Sequence, residues 1–316
     1  MTTLTTGLHF GVSDEIYHGD PAPRPSLSST LARLILDRSP LHAWTAHPRL
    51  NPDWEAKDSK TFDIGRAAHR AVLGAGGDYV AIPENLLASN GAASTKAAKD
   101  WIADARESGL TPLKAAEVEQ IGVMRERVHG RLAEMAITLD RARSEATAIA
   151  EIGGCPVRAR FDNCPDGLEE PIYDFKTTTD ACPDHCMRAV MNYGYDVQAA
   201  HYLDTLKAAT GENRRFRFIF QEKDAPFEVC VVELHPDALD MARKKIRRAR
   251  DIWTSCINSG HWPGYAAGVH VVDLPGWFHE RWLERESAEG EYRRTYGHDI
   301  LDQSRRWQSP DSYAAE

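Results

Sequence analysis

The chain opens without a clear period. Residues 1–25 are rich in Thr, Gly and Pro, which predicts an arm rather than a packed element. Periodicity then sets in: Leu27, Leu31, Leu34 and Ile35, behind the capping serines Ser26, Ser28 and Ser29, predict a short amphipathic helix that stops near Ser39-Pro40. From Thr61 to Leu73 a second helical pattern sets Phe62, Gly65, His69 and Val72 or Leu73 on one face. Residues 94–108 and 112–135 predict two further helices, with Thr111-Pro112 as the capping pair of the second.

After residue 144 the period becomes alternating. VRARFD (157–162) and IYDFKTT (172–178) predict two strands of a hairpin whose long loop carries Pro165, Asp166 and Gly167. Residues 184–209 predict one helix ended by Gly211. RFRFIFQ (215–221) and FEVCVVEL (227–234) predict two more strands, joined at Asp224-Ala225-Pro226. A last amphipathic helix, 237–257, aligns Leu239, Ala242, Ile246, Ala249 and Trp253 along one seam. No internal repeat divides the chain, so the pattern predicts a single domain over 1–316, with an arm at 1–25, a core at about 61–234 and a helical C-terminal extension at 235–316.

With 316 residues, 42 % of them hydrophobic, the chain can bury a substantial core, and 27 % charged residues with 22 Gly and 17 Pro match neither a collagen-like repeat, nor a low-complexity tail, nor a disordered acidic chain. No apolar stretch approaches the roughly 20 residues of a membrane helix. The first 23 residues lack Lys and Arg and a long apolar block, so no secretory signal is read there, which predicts a cytoplasmic protein with no membrane partner. Cys155, Cys164, Cys182, Cys186, Cys230 and Cys256 are scattered, which argues for reduced thiols. The net charge of -9 disfavours generic coating of nucleic acid but permits a local groove that grips phosphates.

Strand alternation places residues two apart on one face, pairing Asp174 with Lys176 and Arg160 with Asp162. Antiparallel pairing brings Asp162 opposite Asp174 within a few residues of register. Two converging carboxylates repel unless a cation joins them. Mg²⁺ suits that role, since it takes one or two carboxylates and keeps waters for a phosphate substrate. Lys176 beside it is placed to deprotonate or orient the attacking water and to neutralise charge on phosphorus. Ile172, Tyr173 and Phe175 are too apolar for an exposed hairpin, so the charges between them need partners.

Other motifs carry less. Cys182, His185 and Cys186 form a compact soft-ligand cluster, but a structural zinc needs a second ligand pair that the chain does not offer. There is no GxxxxGK[ST] and no GxSxG, which disfavours an ATP-driven motor and a serine hydrolase. ARKKIRRAR (242–250) has six basic side chains and no acid; Arg243, Lys244 and Arg247 are candidates for a cationic ridge toward DNA, extended by Arg214, Arg215 and Arg217. The positive end of the helix capped by Ser28 and Ser29 is a candidate phosphate site, and Arg160 a further DNA contact.

An ordered set now stands out: Gly65-x-x-x-His69 on a helix, Glu145 on a strand, Arg160-x-Asp162, Asp174-x-Lys176, then Gln198-x-x-x-Tyr202 on a helix. The set resembles the PD-(D/E)xK nuclease superfamily, and within it the phage-type recombination exonucleases of the exodeoxyribonuclease VIII (RecE-type) group. SLSSTLARLILDRSPLHAW, YGYDVQAAHYLD, FIFQEKDAPFEV and CINSGHWPGY add to the narrower likeness, which runs from about Ser26 to Tyr265. One departure is that Tyr173, not Pro, precedes Asp174, so the letters "PD" are not literally present.

The resemblance implies an α/β core of a mixed central sheet flanked by helices in the order αβββαβ, with helical additions. It implies that Asp162 and Asp174 bind metal with the Phe175 carbonyl, that Lys176 is the catalytic lysine, and that His69 lies beside the metal. Gln198 and Tyr202 match the motif on the following helix, and Glu145 aligns as an additional acid. The implied activity is a Mg²⁺-dependent exodeoxyribonuclease, with Mn²⁺ able to substitute, that degrades linear double-stranded DNA from its ends. Polarity would be 5′ to 3′, leaving a 3′ single strand for an annealing protein, with a ring-shaped homo-oligomer for processivity. The alternatives are an endonuclease or end-trimming nuclease of the same superfamily, and a non-catalytic DNA-binding module.

Overall fold

In the computed structural model, which describes residues 2–55, 63–299 and 302, the N-terminal stretch is not an arm. It supplies β1 (Gly7–His9) and α1 (Asp14–His18), because three residues of backbone pairing and one apolar residue, Leu8, suffice to dock it on the sheet. Tyr17 and Ala22 are buried behind it. Then come α2 (Ser29–Asp37), α3 (Pro40–Thr45) and α4 (Asp63–Leu73). Thr61 and Phe62, expected to open α4, lie outside the described residues.

Past α4 an insertion carries β2 (Tyr79–Ala81), α5 (Lys96–Glu107) and β3 (Thr111–Leu113), and leads into α6 (Ala115–Glu134). Thr111-Pro112 does not cap a helix: β3 pairs in parallel with β2, Pro112 opposite Val80. The true start of α6 is Lys114, whose backbone N–H donates to the side chain of Glu117, the acid three residues in, at 2.7 Å.

The alternating stretches become β4 (Ser144–Ile152), β5 (Cys155–Asn163), β6 (Ile172–Thr178), β7 (Phe216–Glu222) and β8 (Val229–Glu233). Six strands form one sheet in the order β1-β4-β5-β6-β7-β8, antiparallel except for β6 and β7. That parallel pair requires a crossover. The expected single helix of 184–209 provides it as two, α7 (Pro183–Tyr193) and α8 (Tyr195–Thr210), separated by Gly194 at φ +64°. Left-handed backbone there ends one helix and re-aims the next.

Phe216, Phe218 and Phe220 alternate out of β7 into a core shared with Tyr202, Leu203 and Leu206 of α8. Phe175 and Ile219 pack instead with Val72 of α4 and Met124 and Val128 of α6. The sheet therefore lies between helices, the mixed α/β architecture expected, with the αβββαβ order in α4, β4, β5, β6, the α7/α8 crossover and β7.

Two expected boundaries change. α9 (Pro236–Ser259) is core and not extension: Ala242, Ile246, Ala249 and fully buried Trp253 pack with Leu27, Leu31 and Ala200. The chain divides into a unit of Met1–Tyr265 and a second of Ala266–Glu316, because the apolar seam of the large core stops with α9 and its short tail. The second unit holds α10 (Gly276–Tyr296), which exposes Trp277, Phe278 and Trp282. Among the described residues no helix is long and apolar enough to cross a membrane.

Candidate active site

Three neighbouring strands each deliver one acid. The β4–β5 ladder pairs Ser144 with Asn163 and Ala146 with Phe161, so Glu145 and Asp162 stand opposite one another between them. Glu145 adopts φ +54°, a left-handed conformation a glutamate rarely takes, at the point where the regular ladder is interrupted. β5 and β6 pair only at Asn163 and Tyr173, then part. Continuing that register sets Asp174 opposite Asp162, as the sequence predicts. In the gap, the Phe175 N–H has no strand partner on that side and donates to Asp162 Oδ2 at 2.7 Å. The N–H and C=O of a strand residue face the same edge, so the Phe175 carbonyl is directed to this gap too.

His69, from α4, reaches across: Nε2 lies 3.1 Å from Asp162 Oδ2 and Nδ1 3.4 Å from Glu145 Oε1. The ligand atoms of His69, Glu145 and Asp162 all fall within 4.8 Å of one another, and no other such trio of His, Cys, Asp or Glu exists among the described residues. Thus Glu145, and not Asp174, completes the tightest trio. Gly76, at φ +95°, keeps the space open; a Cβ there would stand 3.7 Å from His69 Nδ1 and 3.9 Å from Glu145 Oε1.

Asp174 is fully buried beside the trio and is gripped from two sides. Lys176 Nζ pairs with Oδ1, and Gln198 Nε2 donates to Oδ2 at 2.7 Å. Lys176 also lies 5.0 Å from the centre of the Tyr195 ring, a cation–π contact. Tyr195, Gln198 and Tyr202 sit at i, i+3 and i+7 on α8, one helical face. Tyr202 is not at the acids but in the core, edge-on to Phe161 at 5.4 Å; burial lifts its hydroxyl well above the usual range, so it stays a neutral phenol.

The charge states follow from crowding. Burial and the neighbouring Asp162 raise the Asp174 carboxyl to about 7 in spite of Lys176. Burial and Asp162 also raise Glu145. Burial works against the Asp162 carboxylate, but His69, Lys176 and the Phe175 N–H together hold it below its ordinary value. Burial opposes the His69 imidazolium, yet Asp162 and Glu145 carry it up to about 9. Burial likewise opposes the Lys176 ammonium, and Asp174 and Asp162 more than offset it. A site that pulls protons onto a carboxyl and an imidazole has a deficit of positive charge. The donor set, hard oxygens and one imidazole, fits a divalent cation such as Mg²⁺ or Mn²⁺.

Several sequence-based candidates serve other ends. Arg160 is not a free DNA contact: it pairs with Glu145, with Asp14 at 3.0 Å, and donates to the Val12 carbonyl at 2.7 Å. It aims the Glu145 carboxylate and ties down the N-terminal segment. The basic ridge of α9 is half neutralised, Arg243 by Asp240, Lys245 by Asp196 and Arg250 by Asp204, while Lys244 and Arg247 stay exposed. Arg214 binds Glu212 and two carbonyls, and Arg215 and Arg217 share Glu233, so none extends the ridge. Ser28 caps α2, accepting from the Leu31 N–H at 3.4 Å, and with Ser29 lines a cavity near Tyr202. Cys182, His185 and Cys186 do not converge as a metal trio; Cys186 is buried and Cys182 exposed.

Sequence reasoning missed a buried network behind the site. Asp20, at φ +62°, accepts from Ser26 Oγ at 2.5 Å and pairs with His47 and Arg158, each at 3.1 Å. Burial disfavours its charge, but His47, Arg158 and Ser26 hold its carboxyl below the ordinary value. No local motif announces these partners, one of which is six residues away and two of which come from distant segments. Tyr195 had a signal: its place three residues before Gln198.

Comparisons with known proteins bear on the fold. The model of the PDDEXK-like domain of unknown function, DUF3799, matches residues 36–275. A candidate exonuclease of Eubacterium rectale is similar in structure, with a TM-score of 0.54 at 14 % identity over 84 % of this chain and 96 % of that one. A phage-related exonuclease from Haemophilus somnus 129PT gives 0.30 at 12 % identity, covering 66 % and 98 %. LHK-Exo in complex with dAMP gives 0.23 at 10 %, covering 64 % and 98 %. No curated protein matches the chain in sequence. With three quarters of its length under that one family model and a mixed sheet that sets an acid on each of three adjacent strands, the chain belongs to the PDDEXK-like family DUF3799.

Proposed function

We propose that this protein is a divalent-metal-dependent deoxyribonuclease that degrades linear double-stranded DNA from an end. The observation that carries the reading is the meeting of His69, Glu145 and Asp162 beside the Asp174–Lys176 pair at the gap between β5 and β6. Asp162, Asp174, Glu145 and the Phe175 carbonyl would hold Mg²⁺, or Mn²⁺ in its place, with His69 as a neighbour or ligand. When bound, the cation offsets the repulsion among the acids and draws charge from a phosphate oxygen.

The protein's own groups do the rest. Lys176, kept as an ammonium by Asp174, donates hydrogen bonds and stabilises charge that builds on a phosphate; it orients a water rather than taking its proton. Gln198 fixes Asp174, Tyr195 covers the Lys176 side chain, and Arg160 fixes Glu145. Exposed Lys244 and Arg247, with Ser28 and Ser29, are the remaining candidates for phosphate contacts.

The likeness to exodeoxyribonuclease VIII-type enzymes supports finer points: 5′ to 3′ polarity, a 3′ strand handed to a single-strand annealing protein, and a ring-shaped homo-oligomer. The test is digestion of linear and covalently closed circular duplexes with Mg²⁺, by wild type and Lys176→Ala. The expected result is loss of linear DNA only, by wild type only. Cutting of closed circles would identify an endonuclease instead, and equal activity in both proteins would overturn the mechanism.

A further inference from the structure

Two cavities lie beside residues that support the candidate active site, although none of its acids lines either one. The larger, about 1010 Å³, runs past Asp14, His18 and Arg66; the smaller, about 250 Å³, past Ser28, Arg158 and Tyr202. Each is linked to the acids through one intervening residue. Asp14 pairs with Arg160, which holds Glu145, and Tyr202 lies one turn beyond Gln198, which holds Asp174. Trp54, with Pro48 and His18, lines both cavities and so stands where they join.

Trp54 is unlike the core tryptophans. Trp253 is fully buried and packs against Trp262 at 5.1 Å. The half-buried Trp54 side chain makes neither a ring contact nor a hydrogen bond among the described residues. Its loop is nevertheless firmly set. Asn51 Nδ2 donates to the Thr45 carbonyl at 2.9 Å and its own carbonyl accepts from the Trp54 N–H; Arg49 donates to the Ala22 carbonyl at 2.6 Å; His47 is buried against Asp20. A flat, unpartnered indole on a preorganised loop is arranged to receive something flat.

The geometry points to Trp54 as a base-stacking residue, which holds one nucleobase of a DNA strand end at the join of the two cavities while its phosphates run toward the acids. This rests on the nuclease reading above. Stacking suits an enzyme that must accept every base in turn, because each base has a π face and no hydrogen-bond readout is involved. Arg66 and the serines of the cavity walls stand to face phosphates on either side of it, while Arg158, held by Asp20 and Ser26, is part of the wall itself.

The test is binding of fluorescent duplexes by the full chain, with Ca²⁺ replacing Mg²⁺ to prevent cutting. An abasic residue is placed in turn at each of the first four nucleotides of one strand. Wild type is compared with Trp54→Ala, Trp54→Leu and Trp54→Phe. On intact DNA, Ala and Leu should weaken binding about 5- to 100-fold, and Phe should restore it to within about threefold. At one abasic position the loss on Trp54→Ala should shrink to about twofold or less, because the base that the ring would meet is gone. Undiminished loss at every abasic position, or no loss on intact DNA, would overturn the stacking role. Wild type that fails to cleave with Mg²⁺ while the abasic dependence holds would overturn the nuclease reading and leave stacking intact.

Discussion

Gln198 and Lys176 take opposite oxygens of Asp174, one by a 2.7 Å hydrogen bond from α8 and the other by an ion pair along β6. The carboxyl is thereby fixed in rotation although burial leaves it poised near pH 7. Lys176→Ala should lower single-turnover cleavage by at least about 100-fold, the scale for removing a preorganised charge donor. Its stability cost should fall short of the usual figure of about 3 kcal/mol for a broken buried pair, because Asp174 can take up a proton. Gln198→Ala should lower cleavage by about 10-fold while leaving the urea midpoint almost unmoved. A Gln198→Ala protein as active as wild type would show that Asp174 needs no such guide.

His69 makes the metal-free protein sensitive to alkali. Its pKa in the folded chain, about 9, lies above that of an exposed histidine, near 6.5. The stabilisation from its charge is therefore complete below about pH 6.5 and disappears as the pH rises through about 9, to a total on the order of 3 kcal/mol. Urea unfolding in EDTA from pH 6 to 10 should show this decline, and His69→Gln should flatten it. An unchanged slope in the variant would mean that the imidazole is not the group titrating.

Asp20 anchors Arg158, His47 and Ser26 in the interior. Asp20→Ala strands a buried guanidinium and should cost about 3–5 kcal/mol. Asp20→Asn keeps the hydrogen-bond acceptor and should cost less. Guanidinium melts of both read this directly, and a loss below about 1 kcal/mol in the alanine variant would refute the anchoring role.

Gly194 sets the angle between α7 and α8. An added Cβ would meet Arg33 Cδ at 2.6 Å, on backbone already at φ +64°. Gly194→Ala should cost about 1–2 kcal/mol and, by displacing the start of α8, reduce cleavage more than its stability loss explains. Thermal melts alongside single-turnover rates separate the two effects.

The parts of this molecule that alternate were readable before folding. Asp162, Asp174 and Lys176 follow from a two-residue period on strands that the apolar neighbours Ile172, Tyr173 and Phe175 mark as half-buried. What escaped has identifiable causes. Glu145 was legible only through the family likeness, as an additional acid; its place in the trio goes with a left-handed backbone, which no spacing rule signals. Arg160 looked available because its partner Asp14 lies in a stretch too short and Gly-rich to read as structure. Residues 184–209 read as one helix since helix formers flank Gly194 on both sides, and Thr111-Pro112 read as a cap because a three-residue strand carries almost no pattern. Trp54 sits in a loop whose rigidity comes from contacts distant in sequence.

The brief pairing of β1 with β4 has a bearing on solution behaviour. Leu8 and its neighbours occupy the outer side of a strand whose Ala146, Ala148, Ile149 and Ala150 are all buried. Stripped of that three-residue cover, β4 would present unsatisfied amides along the mostly apolar, charge-free stretch 146–150, the kind of border that recruits strands from other molecules. Shortened versions lacking the first ten residues should for this reason precipitate or form mixed oligomers during purification, long before any defect in the distant helices becomes visible.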